Sequence, residues 1–106
     1  MKEFQFTKFN GQNITGVPTI AKNTAFSLTV QTIGTNEEPY ANYPSKFYVL
    51  VLGDDDRTIP EAGQSMDGSD VKTLSGIKFT QAGEVTLTVR SADSVFEKSI
   101  KINVTE

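Results

Sequence analysis

The chain has 106 residues, a formal net charge of −3, and neither Cys nor His. That length suits a single domain. The missing thiols and imidazoles exclude Ser-His-Asp triads, Cys/His zinc sites, haem ligation by His or Cys, and a disulfide framework. The ten basic residues are scattered, which argues against nucleic acid and anionic membrane surfaces, and no apolar run approaches the roughly 18 residues of a spanning helix.

Met1-Lys2-Glu3-Phe4 shows no signal peptide and moves straight into strand-like alternation. It reads as the start of an excised module in preference to a native cytosolic start. Phe4 and Phe6 alternate with Glu3, Gln5 and Thr7, predicting a first strand. Asn10-Gly11-Gln12-Asn13 is turn chemistry, because Asn and Gly tolerate positive φ. Gly16-Val17-Pro18-Thr19 suits an edge crossing, since proline cannot donate to a central ladder, and Lys22-Asn23 is a second turn. From Thr24 to Ile33 the residues Phe26, Leu28 and Val30 share one face, with Ser27, Thr29 and Gln31 on the other. A loop rich in Asn, Glu, Pro and Tyr follows, from Gly34 to Ser45. Lys46–Leu52 is almost continuously apolar and reads as a central strand covered on both sides.

Gly53–Asp70 is long and acidic. Structureless loops of that length are uncommon in a compact domain, so a short edge strand is expected near Arg57–Ile59. Strands are then expected at Val71–Phe79 and Glu84–Ser91, separated by Gln81-Ala82-Gly83. After a turn at Ala92-Asp93-Ser94, a last strand runs from Val95 to Val104. In it Phe96, Lys98, Ile100, Ile102 and Val104 share a face, with Lys98 at the rim, its stem buried and its head in water. No helical pattern, internal repeat or low-complexity tract is visible. About seven short antiparallel strands predict an all-β sandwich of two sheets occupying residues 1–106. Its expected core is Phe26, Leu28, Val30, Phe47, Val49, Val51, Phe79, Val85, Leu87, Val89, Ile100 and Ile102.

The stretch Phe79-Thr80-Gln81-Ala82-Gly83-Glu84-Val85-Thr86-Leu87-Thr88-Val89 and the ending Ile100-Lys101-Ile102-Asn103-Val104 resemble bacterial immunoglobulin-like modules. In these a Phe-x-x-x-Gly corner precedes the penultimate strand and the last strand ends hydrophobic-x-hydrophobic-x-Val. Val17-Pro18-Thr19 and Phe26-Ser27-Leu28-Thr29-Val30 fit the first two strands of that plan. The chain departs from the antibody pattern in having no Cys and no Trp. The resemblance implies an Ig-like β-sandwich in a bacterial surface or phage virion protein. The expected location is extracellular, on a cell surface or on a virion. The expected partners are neighbouring protein modules or capsid, tail or surface proteins, with no nucleic acid and no membrane insertion.

Four features were weighed for chemistry. Asp54, Asp55 and Asp56 offer hard oxygen donors of the kind Ca²⁺ prefers, but the helix-loop-helix calcium pattern fails at Thr58. A solvated acidic loop that keeps an edge from pairing is the preferred account. Tyr40 and Tyr43, between Pro39 and Pro44 and expected at the same pole as Asp93, would stack on sugar faces if exposed, and would plug the sandwich if turned inward. An intramolecular bond between Lys8, on the face of Phe4 and Phe6, and Asn103 is disfavoured because Asn103 alternates out of phase with Ile102 and Val104. The sequons at Asn13 and Asn103 matter only in a eukaryotic secretory pathway.

Enzyme activity is not expected, because the carboxylates lie in loops and a sandwich this small has little cleft. No cofactor is expected beyond a Ca²⁺ ion in the acidic loop. The leading expectation is a non-catalytic spacer or weak adhesion module. The alternatives are a carbohydrate-binding module using Tyr40 and Tyr43, and a calcium-rigidified linker.

Overall fold

Strands form where apolar and polar residues alternate. In the computed structural model, which describes residues 1–106, they are β1 (Glu3–Phe9), β2 (Gln12–Asn13), β3 (Thr19–Ala21), β4 (Phe26–Ile33), β5 (Phe47–Leu52), β6 (Val71–Ile77), β7 (Gly83–Ser91) and β8 (Glu97–Thr105). There are no helices. Two four-stranded sheets form, one in the order β2-β1-β4-β6 and the other in the order β3-β8-β7-β5. Every pairing is antiparallel except β3 with β8, which is parallel, Thr19 to Ala21 lying beside Asn103 to Thr105. This departs from the expected all-antiparallel arrangement. The chain passes from one sheet to the other between β2 and β3, so β3 arrives already pointing along β8.

The inward faces of the two sheets share one core. Phe26, Leu28 and Val30 of β4 and Val85, Leu87 and Val89 of β7 are all buried in it, as the alternation predicts. Aromatic rings close both ends. At one end Phe9 stacks on Phe26 at 4.8 Å and Phe26 meets Phe79 at 5.6 Å. At the other, Phe4 contacts Phe47 at 5.4 Å and Tyr43 at 5.9 Å.

The registers fix which segments share a pole. Glu3 pairs with Ile33, and Tyr43 touches Phe96, so the start of β1, the loop after β4 and the turn before β8 lie together. Lys22 donates its N–H to Thr105, and Asn23 donates its N–H to Phe79, so the end of β8, the entry to β4 and the corner after β6 lie at the opposite pole. The chain therefore enters β1 at one end of a body 41 Å long and leaves β8 at the other.

Several expectations are corrected. β1 and β8 belong to different sheets and are not paired with each other; the long-range partner of β8 is β3. β1 carries a bulge between Phe6 and Lys8, where its register with β4 shifts. The extra residue flips the alternation, so Phe9 turns inward and Lys8 lies exposed, off the face of Phe4 and Phe6. The strand expected near Arg57–Ile59 is a single bridge, in which Thr58 and Lys78 exchange two bonds. β5 is an edge strand, not a central one: β7 flanks it on one side, and Tyr48 (43% exposed), Leu50 (38%) and Leu52 (79%) face outward. In a two-layer chain with no helix, nothing remains to cover a second apolar face. Val51 and Ile100, expected in the core, are half-buried at its margin, whereas Phe4, Leu74, Ile77, Met66 and Val104 are buried within it. Lys98 takes its expected place on the face of Ile100 with an exposed side chain.

Candidate functional site

Tyr40, Tyr43 and Asp93 do come to one pole, but not as a flat exposed platform. The tyrosines lie in the loop that leaves β4. That loop is held to β4 by the Tyr40 N–H, which donates to the Thr32 carbonyl at 2.9 Å, and by the Thr32 hydroxyl, which donates to the Tyr40 carbonyl. Tyr40 is partly exposed and its ring lies over Gly34. Tyr43 is 8% exposed and packs edge-on between Phe4 and Phe96. Its hydroxyl is buried with no hydrogen-bond partner. The expected two-ring sugar platform is therefore corrected: Tyr43 plugs the sandwich and only Tyr40 meets solvent. Asp93 is occupied within its own turn. It accepts from the Ser91 hydroxyl at 2.6 Å and from the Val95 N–H at 3.1 Å. These bonds, that from Ser91 foremost, hold its carboxyl below the usual carboxylate range.

The acidic triplet separates in the same way. Asp54 is 4% exposed. It accepts from the Thr80 N–H, from the Thr80 hydroxyl at 2.9 Å, from the Gln81 N–H at 3.0 Å and from the Asp56 N–H at 3.0 Å. Burial alone would raise its pKa. The four donors outweigh burial and hold the carboxyl below its ordinary value. Both oxygens are thus spent on the fold. Asp55 and Asp56 face solvent, and nowhere do three acidic side chains gather closely enough to hold a metal ion. The expected calcium ligand Asp54 is a clamp between the exit of β5 and the corner that leads into β7.

Two surface features were not foreseen. A shallow groove of about 340 Å³ lies beside the β1–β2 hairpin, walled by Phe9, Ile14 and Val17 and by the amides of Asn10, Gln12 and Asn13. None of its lining side chains is titratable, so it has no acid or base to offer. The second is the outward apolar row Tyr48, Leu50 and Leu52 on the free edge of β5. Its signal was present in the sequence: a strand apolar on both faces in a chain without helices must expose one of them. A comparison with known protein families, with curated proteins and with solved structures found no match.

Proposed function

We propose that the chain is a non-catalytic immunoglobulin-like module that spaces and connects its neighbours within a larger extracellular, cell-surface or virion assembly. The observation that carries this reading is the placement of β1 and β8: the chain enters at one pole and leaves at the other, along the 41 Å axis. The strand order supports it too. A sheet of β3-β8-β7-β5 facing one of β2-β1-β4-β6, with β3 parallel to β8, fits an immunoglobulin-like sandwich. Tension along the axis loads the β3–β8 ladder in shear, so its bonds must break together and not one at a time. The carboxylates fit a structural role as well, since Asp54 and Asp93 are consumed by backbone and hydroxyl donors.

Single-molecule stretching tests this reading. A chain pulled through residues 1 and 106 should unfold at clearly higher force than one pulled through residues 1 and 93, which share a pole. Equal forces would remove the mechanical basis of the proposal. A polysaccharide that binds and is lost on Tyr40→Ala would replace it with a glycan-binding function.

A further inference from the structure

We propose that the free edge of β5 pairs with the same edge of a second copy of this chain, antiparallel and two-fold symmetric about Leu50. The backbone defines the open segment. Away from β7, Phe47 exchanges both its bonds with Gln64, at 3.0 and 2.8 Å. Antiparallel ladders alternate, so Val49 and Val51 turn their N–H and C=O groups the same way. Neither residue takes part in any bond to a turn or loop. Gln64 closes one end of this edge. At the other end Gly53, at φ 124°, turns the chain off the sheet, and Asp54 is held by Thr80. What stays open is Tyr48–Leu52, and its middle residue is Leu50.

That segment is complementary to itself. With Leu50 on the axis, Val49 of one copy exchanges two hydrogen bonds with Val51 of the other, and the reverse pair does the same. On the outward face Leu50 meets Leu50, and Tyr48 meets Leu52 on both sides of the axis, covering the whole exposed row. The same register brings Lys46 opposite the Asp54–Asp56 run of the second copy. Lys46, Asp55 and Asp56 make none of the molecule's five ion pairs, so two complementary contacts form at the ends of the ladder. The Gly53 turn leads each chain away before it meets Gln64 of the other.

β5 also lacks the usual protection of an edge. Phe47–Leu52 holds no charge and no proline, and its register with β7 is unbroken. The outer edge of β6, in the other sheet, has a bulge, carries Lys72 and is bridged beyond its end by Thr58. A five-residue ladder is small beside standard interfaces. The pairing is therefore reversible in free solution and strengthened where an assembly holds copies close together.

Sedimentation equilibrium and amide NMR from about 10 μM to about 1 mM span the affinity expected of so small an interface. The mean mass should rise toward that of a dimer, with Val49 and Val51 amides shifting in step. Leu50→Lys sets two lysines against each other on the axis and should abolish association without moving the melting temperature. Lys46→Glu should weaken association about tenfold, and the added pair Asp55→Lys/Asp56→Lys should restore it. A chain that stays monomeric throughout, or a dimer indifferent to Leu50→Lys, overturns the proposal. So does a Val49/Val51 response to an added extended peptide but not to concentration, which would make the occupant another protein's strand.

Discussion

The Asp54 carboxylate accepts hydrogen bonds from both the backbone N–H and the hydroxyl of Thr80, 26 positions further along the chain. One side chain thereby ties the exit of β5 to the corner between the sheets. Asp54→Ala leaves the Thr80 and Gln81 amides without their acceptor and should lower unfolding free energy by roughly 2–4 kcal/mol. Asp54→Asn keeps one oxygen and should cost less. Urea unfolding measures both; an Asp54→Ala midpoint equal to that of the parent chain would show that the clamp is dispensable.

The same clamp sets the acid limit. Asp54 and Asp93 are both held below the ordinary value of 3.8 in the folded state. A carboxyl with a depressed folded-state pKa contributes stability above its unfolded value, and that contribution is lost as pH falls through the folded one. With no histidine to titrate near neutrality, melting temperature should be level down to about pH 5 and fall below about pH 4. Asp54→Asn should flatten the acid limb. An identical acid limb in that variant would place the sensitivity elsewhere.

Tyr43 carries a buried hydroxyl without a partner. Tyr43→Phe removes that unmatched group and keeps the ring against Phe4 and Phe96, so it should leave stability unchanged or raise it by up to about 1 kcal/mol. Tyr43→Ala empties the pole and should cost about 3–5 kcal/mol. Thermal unfolding distinguishes the two, and a destabilised Tyr43→Phe would mean that the hydroxyl finds an acceptor in solution.

Phe4 is fully buried and joins Tyr43 to Phe47. Phe4→Ala should cost about 3–5 kcal/mol by opening a cavity between the sheets. A loss under about 1 kcal/mol would show that β1 frays without harm to the core.

The strands β4, β7 and β8 were legible because each alternates without interruption, which leaves only one face to bury. β1 was legible only as far as Phe6. Its bulge is a backbone offset, and the residues around Thr7 do not announce it. Lys46–Leu52 was read as a strand correctly and as central wrongly, because an apolar run records that both faces avoid charge and not what covers them. The loops resisted most. Asp54 looked like a solvent-facing metal ligand because its donors, Thr80 and Gln81, are remote in sequence, and Tyr43 was ambiguous because a ring between prolines points inward or outward according to which cavity the pole leaves for it.

The parallel pairing of β3 with β8 bears on how the chain comes off the ribosome. Ile20 finds its strand partner only at Val104, and nearby Lys22 meets Glu106 across 84 positions. β3 must therefore wait, unpaired, until nearly the whole chain has been synthesised. Contacts this distant are slow to form, since a long loop must close before they repay its entropy. The sheet of β1, β4 and β6 can assemble first, and it then presents an apolar face with no opposing layer. For that interval the nascent chain is most exposed to aggregation, and arrival of the last strand both completes the second sheet and ends the hazard.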